Sequence, residues 1–385
     1  MSKTSSQGYL LISDITGYTS YVAKTELEHS QEILSELLEL LVRTMTPITT
    51  LSKLEGDAVF AYAPAIQVNR GELILEMIEA CYFAFRNRVA SIDRGTTCQC
   101  NACRAIPDLD LKFLIHYGEY MIQSISGISE LIGSDVNLVH RLAKNNLKEE
   151  TGWTAYAMFT EKCLQQMGIP NDGLHALIES YDHLGEVTTF SLNLRDRYKE
   201  MVENRDAYLS EEEADASLDF EMDIPVPVAW EYMTNVQKRS LASEGATWST
   251  FARISGRTGV GTTNHCAHGK GEISVETILD WRPFNYFTTD SQTKIEKKSM
   301  MDMINMHEFK SLDDGKRTLL TYRVKFHKPN FLLKLMFPFM WRKMASKYID
   351  NIVSLAKAEM SESQLKPNYQ LLMEHVAAQN IGEKK

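Results

Sequence analysis

The side chains best suited to chemistry in this sequence are two carboxylates. Asp14 stands where a short β-rich run ends, in LISDITGYTS, and Asp57 stands at the tip of a hairpin, in KLEGDAVFAY. If the first run is the central strand of a sheet and the hairpin pairs with it, the two acids face one another across the sheet end. Such a pair can hold two Mg²⁺ or Mn²⁺ ions against a triphosphate, one activating a hydroxyl and one neutralising the leaving phosphates. Taken singly, Asp14 would be a helix cap and Asp57 a turn residue. A second group is Cys98, Cys100 and Cys103, spaced C-x-C-x-x-C. Three thiols this close can hold Zn²⁺ with a fourth ligand from His116, His175 or another subunit, can form a redox pair, or can be incidental thiols of a surface loop. His265, Cys266 and His268, in NHCAHGKG, read as a polar loop. Cys81, on an apolar helix face, reads as core.

The elements that would position the acid pair are legible as alternating strand and helix signals. Tyr9 to Ile15 is a strand. Glu26 to Met45 carries apolar residues at helical spacing. Thr49 to Leu54 and Ala58 to Ala63 are strands joined by Glu55-Gly56-Asp57, a hairpin. Leu73 to Phe85 marks a second amphipathic helix and Leu111 to Tyr117 another strand. That order is β-α-β-β-α-β, the ferredoxin-like arrangement. A helix over Val136 to Asn146 and a strand over Val187 to Leu192 extend it. Residues 196–217, with Glu211, Glu212, Glu213 and Asp215, read as a solvated acidic linker. Beyond it, strand-like runs (Leu218 to Met222, Ile273 to Leu279, Tyr286 to Thr289, Ile304 to Phe309, Thr318 to Phe326) are separated by glycine-rich turns. A long amphipathic helix follows from Phe331 to Met360, with a kink or restart at Pro338. The fold class is α+β throughout: a ferredoxin-like domain, then a helix-grip antiparallel sheet. The domains expected are 8–195, the linker 196–217, 218–362, and a polar tail 363–385.

The chain has 385 residues and a net charge of −10, an unpromising balance for a nucleic-acid binder, which needs clustered Lys and Arg. A nucleotide substrate remains compatible, because metal ions can carry the positive charge locally. The N-terminal apolar run meets Asp14 at once, and Phe331 to Trp341 is broken by Lys334. Both are too short for a membrane span, and the first is too short for a secretory signal. The expectation is a cytoplasmic protein whose six cysteines are thiols or metal ligands.

Four motifs together give the first half a resemblance to the class III adenylyl/guanylyl cyclase family. Ile12-Ser13-Asp14-Ile15-Thr16-Gly17-Tyr18-Thr19 matches its first-strand motif, and Lys53-Leu54-Glu55-Gly56-Asp57 its hairpin motif. Leu114-Ile115-His116-Tyr117-Gly118 matches its fourth strand, and Gly133 to Arg141 (GSDVNLVHR) its last motif. Gly185 to Phe190 looks like its closing strand, and the resemblance spans roughly residues 8 to 195. It implies that Asp14, Asp57 and the carbonyl of Ile15 hold the two metals, and that Lys53 and Glu130 contact the base. Asn137 would orient the ribose, and Arg141 would stabilise charge on the α-phosphate. Lys53 with an acid at 130 favours ATP over GTP, because guanine has a carbonyl where adenine has its amino group. The resemblance further implies a homodimer with two shared sites. The segment between Gly118 and Gly133 is shorter than the family's and lacks its G-x-V-x-x-G run. Ser134 and Val139 replace an acid or amide and an alanine. The function implied is conversion of ATP to cyclic AMP and diphosphate. The alternative is a cyclase-like nucleotide-sensing or regulatory module without turnover.

The second half, from Phe220-Glu221-Met222-Asp223-Ile224-Pro225 through Trp281-Arg282-Pro283-Phe284 and His307-Glu308-Phe309 to the long helix, resembles the START-like or polyketide-cyclase-like (SRPBCC) superfamily. That resemblance implies a cavity between sheet and helix taking an apolar small molecule that modulates the first half. Phe331, Leu335, Met336, Phe339, Met340 and Met344 would line the cavity or pack the core.

Overall fold

The run Tyr9 to Ile12 is almost free of solvent contact, as a strand covered on both faces must be. It belongs to β1 (Ser6–Thr16), which pairs antiparallel with β3 (Ala58–Pro64) on one side and with β4 (Asp110–Ile125) on the other. In the computed structural model, which describes residues 5–68, 70–95, 100–125, 128–203, 207–253, 257–268, 272–295, 298–328 and 331–362, the chain divides into two units. The first runs to Lys199 and the second begins at Glu200.

The first unit is a mixed eight-stranded sheet, seven strands in the order β2-β3-β1-β4-β6-β8-β7 and an eighth, β5 (Ile128–Ile132), paired to β4 off this path, with β2 at Thr50–Glu55, β6 at Tyr156–Thr160, β8 at Gly185–Asn193 and β7 at His175–Tyr181. The block β2-β3-β1-β4 is the ferredoxin-like order. Between β1 and β2 lie two helices, α1 (Tyr18–Lys24) and α2 (Leu27–Met45), the second burying Leu34, Leu37, Leu41 and Met45 at helical spacing. β2 turns into β3 at Gly56, whose φ of 66° is one that glycine adopts without strain. The helix α3 (Glu72–Gly95) then buries Ile74, Met77, Ile78, Cys81, Tyr82, Phe85 and Val89. α4 (Asn101–Ala105) leads into β4, and β5 (Ile128–Ile132) folds back on β4 as a hairpin. The expected helix over Val136 to Asn146 is three pieces: α5 (Ser134–Arg141), a 3₁₀ turn at Leu142–Lys144, and α6 (Leu147–Thr151). The break falls at Asn145, whose amide bonds the Leu142 carbonyl (2.7 Å) and the Tyr156 hydroxyl (2.9 Å), drawing the chain out of helical register. α7 (Glu161–Met167) follows β6, capped by the Thr160 hydroxyl.

Part of the stretch expected as a solvated linker is structured. α8 covers Leu194–Glu203. In the second unit Leu209 is buried with Tyr286 and Met306, and the Asp215 carboxylate accepts the Phe326 N–H at 2.9 Å. Glu211, Glu212 and Glu213 are exposed, but the apolar Leu209 and the Asp215 contact pin the segment of chain that carries them.

The second unit is a seven-stranded antiparallel sheet ordered β10-β11-β12-β13-β14-β15-β9. Its strands are β9 (Ala216–Met222), β10 (Ala246–Ala252), β11 (Thr263–His268), β12 (Glu272–Arg282), β13 (Tyr286–Ile295), β14 (Lys298–Leu312) and β15 (Arg317–Phe326). Three helices complete it: α9 (Val226–Thr234), α10 (Val236–Ala242) and α11 (Phe331–Glu362). Trp230 of α9 is fully buried against Trp281, Phe284, Phe287 and Phe309, with ring centroids 4.8 to 5.8 Å away. Burying a ring of that size contributes on the order of 2–3 kcal/mol. α11 runs through Pro338 as one element, without the restart expected there. The segment at His265 to His268, expected as a loop, is strand β11, with Cys266 buried. No helix among the described residues is long and apolar enough to cross a membrane.

Candidate functional site

β1 and the β2–β3 hairpin bring the two predicted carboxylates together. Asp14 is in register with Ala58, the residue after Asp57, and the Ile15 N–H donates to the Asp57 carbonyl at 3.3 Å. Asp57 is half-buried. Burial first, and then the negative charge of Asp14, push its carboxyl up to about 6, against the opposing pull of its own backbone N–H and of Lys112. Lys112, on β4 opposite Asp14, holds its ammonium 3.6 Å from Asp14 Oδ2. The pair therefore carries more negative charge than its surroundings neutralise. Two hard oxygen donors with surplus charge, both partly exposed, fit Mg²⁺ or Mn²⁺. Ile15, the residue whose carbonyl the resemblance adds to the metal ligands, follows Asp14 in β1 and is tied to Asp57 by its own N–H.

A second cluster forms at the start of the hairpin. Lys53 Nζ lies 3.0 Å from Glu55 Oε1 and 3.8 Å from Glu130 Oε1 on β5, so the two predicted base-contacting residues are neighbours. Both are substantially exposed. His140, on α5, packs edge-on against Phe60 and places Nδ1 3.4 Å from Glu55 Oε2. Burial first, and the charge of Lys53, depress the His140 imidazolium below its usual range despite Glu55. Asn137 and Arg141 stand one helical turn apart on the exposed side of α5, while Val136 and Val139 fix the other side to β1, β3 and β4.

Sequence reasoning passed over the device that anchors α5. The Asp135 carboxylate accepts the Glu119 N–H at 2.6 Å and faces His116 Nε2 at 3.2 Å and Lys162 Nζ at 3.6 Å. His116 is buried, with Nδ1 2.8 Å from the Thr160 hydroxyl. Burial opposes the charge of Asp135, but the Glu119 N–H, His116 and Lys162 outweigh it and hold the carboxyl below its ordinary value. Burial lowers His116. Gly118 explains the glycine of the fourth-strand motif: a Cβ there would lie 2.3 Å from Asp135 Oδ2. The signal was in the sequence, as a glycine at a strand position, with Asp135 two residues past Gly133 in the last motif.

Of the three spaced cysteines, Cys98 lies outside the described residues. Cys100 caps α4, its Sγ accepting the Cys103 N–H at 3.4 Å, and the Glu26 carboxylate accepts the N–H groups of Asn101 and Ala102 at the same helix end. Cys103 is buried. His116 and His175, considered as fourth ligands, have other partners: His175 packs on Trp153 and lies 3.9 Å from Glu150. Among the described residues no group of three or more His, Cys, Asp or Glu side chains is placed to hold a metal ion.

In the second unit the side chains expected to line an apolar cavity do not. Leu335, Met336, Phe339, Met340 and Met344 are exposed on the outer side of α11; the side chain of Phe331 lies outside what the structure describes. The sheet face turned to the core, otherwise apolar and aromatic, carries a small set of buried polar side chains. Tyr322 donates to Asn305 Oδ1 (2.6 Å), Asn305 donates to Ser291 Oγ (2.7 Å), and His307 stacks on Phe287 at 4.5 Å. Burial, and then the charge of Arg239, push His307 down to about 3. Arg239 itself forms a bidentate pair with Glu276, which also accepts from Asn264 at 3.3 Å.

A family model described as "Protein of unknown function (DUF2652)" matches residues 34–151. An uncharacterized protein of Mycobacterium tuberculosis, Rv2561/Rv2562, is 32% identical over 151 residues, 37% of this chain and 66% of the relative. Among solved structures, a bacterial light-regulated adenylyl cyclase is similar with 14% identity and a TM-score of 0.38, over 50% of this chain and 54% of that one. The adenylyl cyclase CyaB from P. aeruginosa is similar with 16% identity and a TM-score of 0.36, over 49% of this chain and 94% of that one. This chain thus spans about two thirds of the mycobacterial relative and about half of the light-regulated cyclase. Likenesses of that order bear on neither activity nor substrate.

Proposed function

We propose that the first unit is a purine nucleotide cyclase half-site that converts ATP to cyclic AMP and diphosphate when two copies of the chain associate. The observation that carries this reading is the Asp14–Asp57 pair, two carboxylates held together with insufficient cationic compensation. Asp14, Asp57 and the Ile15 carbonyl would hold divalent ions. Such ions supply charge neutralisation for the triphosphate and acidify the attacking ribose hydroxyl. The 3′-hydroxyl attacks the α-phosphorus and diphosphate leaves, so no protein nucleophile is required. Lys53 donates to an adenine ring nitrogen and Glu130 accepts from its amino group, a role supported by their 3.8 Å separation. Asn137 orients the ribose and Arg141 stabilises charge building on the α-phosphate, each serving the acid pair of the second copy. The His116–Asp135 contact sets the helix that presents both.

The test incubates the full chain with Mn²⁺ and each ribonucleoside triphosphate and looks for cyclic products by mass spectrometry. A cyclic product from ATP that disappears in Asp57→Ala is the expected result. A folded, dimeric protein that yields no cyclic product from any triphosphate would leave a nucleotide-sensing module without turnover.

A further inference from the structure

The helix α11 has two faces of different kind. Phe337, Ile349, Ile352 and Ala356 are buried in the core of the second unit, and Trp341, Ala345 and Tyr348 pack against it. On the opposite side Leu335, Met336, Phe339, Met340 and Met344 are between 48% and 79% exposed. Positions 335, 336, 339, 340 and 344 fall on one stripe of a helix. Five large apolar side chains in one stripe are more than the scattered exposure ordinary on a protein surface.

The charge along the same segment says what the stripe faces. From Phe331 to Ile349 the helix contains Lys334, Arg342, Lys343 and Lys347 and no Asp or Glu, in a chain of net charge −10. Lys334 is paired with Asp215, and Lys347 with Glu244 at 2.6 Å. Arg342 lies beside the Phe220 ring at 5.8 Å, and Lys343 is exposed one turn beyond Phe339 on the stripe itself. We propose that this stripe is a docking surface for an anionic lipid bilayer. The helix lies in the plane of the interface, its Leu, Met and Phe side chains enter the headgroup–acyl boundary, and Lys343 with Arg342 meets lipid phosphates. A second copy of the chain is a poorer occupant. Lys343 stands within the stripe, so two copies pairing face to face along it would have to desolvate two lysines for which the segment supplies no Asp or Glu.

The experiment is co-sedimentation of the full chain with vesicles of phosphatidylcholine alone and of phosphatidylcholine mixed with phosphatidylserine. The expected result is partition to the mixed vesicles that weakens as salt is raised. Phe339→Glu should lower that partition at least about tenfold, because it drives a carboxylate into the apolar boundary. Lys343→Glu should lower it on the mixed vesicles and leave the weak partition to phosphatidylcholine unchanged. Both positions are exposed, and circular dichroism of each variant verifies the fold; Phe339→Ala provides a milder change at the same place. Absence of partition to the mixed vesicles, or equal partition by wild type and Phe339→Glu, would overturn the proposal. So would a concentration-dependent dimer that Phe339→Glu dissociates, which would assign the stripe to a second copy.

Discussion

Two sets of charged side chains, one in each unit, are held partly or wholly away from solvent in opposite states. In the second unit Arg239 is matched to Glu276 with Asn264 beside it, and Asp280 is met by the Arg282 guanidinium at 3.3 Å and the Tyr286 hydroxyl at 2.7 Å. In the first unit Asp14 and Asp57 sit side by side with Lys112 as their cation, and Asp57 is driven up to about 6. A matched buried pair specifies architecture, since each partner exists to satisfy the other. An unmatched pair of like charges is held in place by the rest of the fold, and its surplus charge is available to a ligand. The contrast separates a structural charge network from a site without reference to any relative.

The sharpest way to break this contrast is to unmatch the matched pair. Arg239→Met should leave Glu276 buried without its cation and cost about 3–5 kcal/mol in urea unfolding. Adding Glu276→Leu should recover most of the loss. If the single variant is as stable as wild type, the second unit's charges are not the self-satisfied network described. Next in size is Gly118→Ala. The new Cβ must displace the Asp135 carboxylate, for an expected cost of about 1–3 kcal/mol, and the displaced α5 should lower any nucleotide turnover by more than the loss of folded protein accounts for.

Asp57→Asn should act in the other direction. The folded pKa of Asp57 lies above its unfolded value, so between about pH 4 and about pH 6 the folded state keeps a proton that the unfolded state has released. Stability therefore falls as pH rises through that window. The asparagine cannot ionise, and it should gain about 1 kcal/mol near pH 7, allowing for the solvent screening of a half-exposed group, and nothing below about pH 4. Thermal melts across pH measure this, and a variant that is destabilised at neutral pH would contradict the assigned charge repulsion. The smallest effect belongs to Lys53→Ala. Its ion pairs are exposed, so stability should move by less than about 0.5 kcal/mol while preference among the nucleoside triphosphates changes. A large loss of stability there would mean Lys53 is a structural partner of Glu55.

Much of the first unit was legible because its signals are local. Gly56-Asp57 marks the hairpin turn, and the apolar residues of α3 repeat at 3.6-residue spacing. Other features depend on tertiary contacts. The Asp135–His116 contact joins residues nineteen apart in sequence through β4, and only Gly118 hinted at it. β6 is a five-residue run buried on both faces, too short for periodicity to distinguish strand from helix. The acidic run Glu211 to Glu213 hid Leu209, whose burial orders the chain there. In α11 both faces are apolar over Leu335 to Met344, so spacing alone could not say which one turns inward. The structure buries Phe337 and leaves Phe339 out. At β11 the His265 to His268 run reads as polar, yet Asn264 and Cys266 are buried at alternate positions, an alternation that a rule keyed to hydrophobicity does not recognise.

The central claim is that the surplus charge of Asp14 and Asp57 is the place of a divalent cation. Mn²⁺ titration of the full chain, followed by electron paramagnetic resonance in wild type and Asp57→Asn, tests it most directly. The account predicts saturable binding to wild type near pH 7, weaker binding near pH 5 where a proton competes for Asp57, and loss of that binding in the variant. Superimposable titrations of the two proteins at both pH values would contradict it.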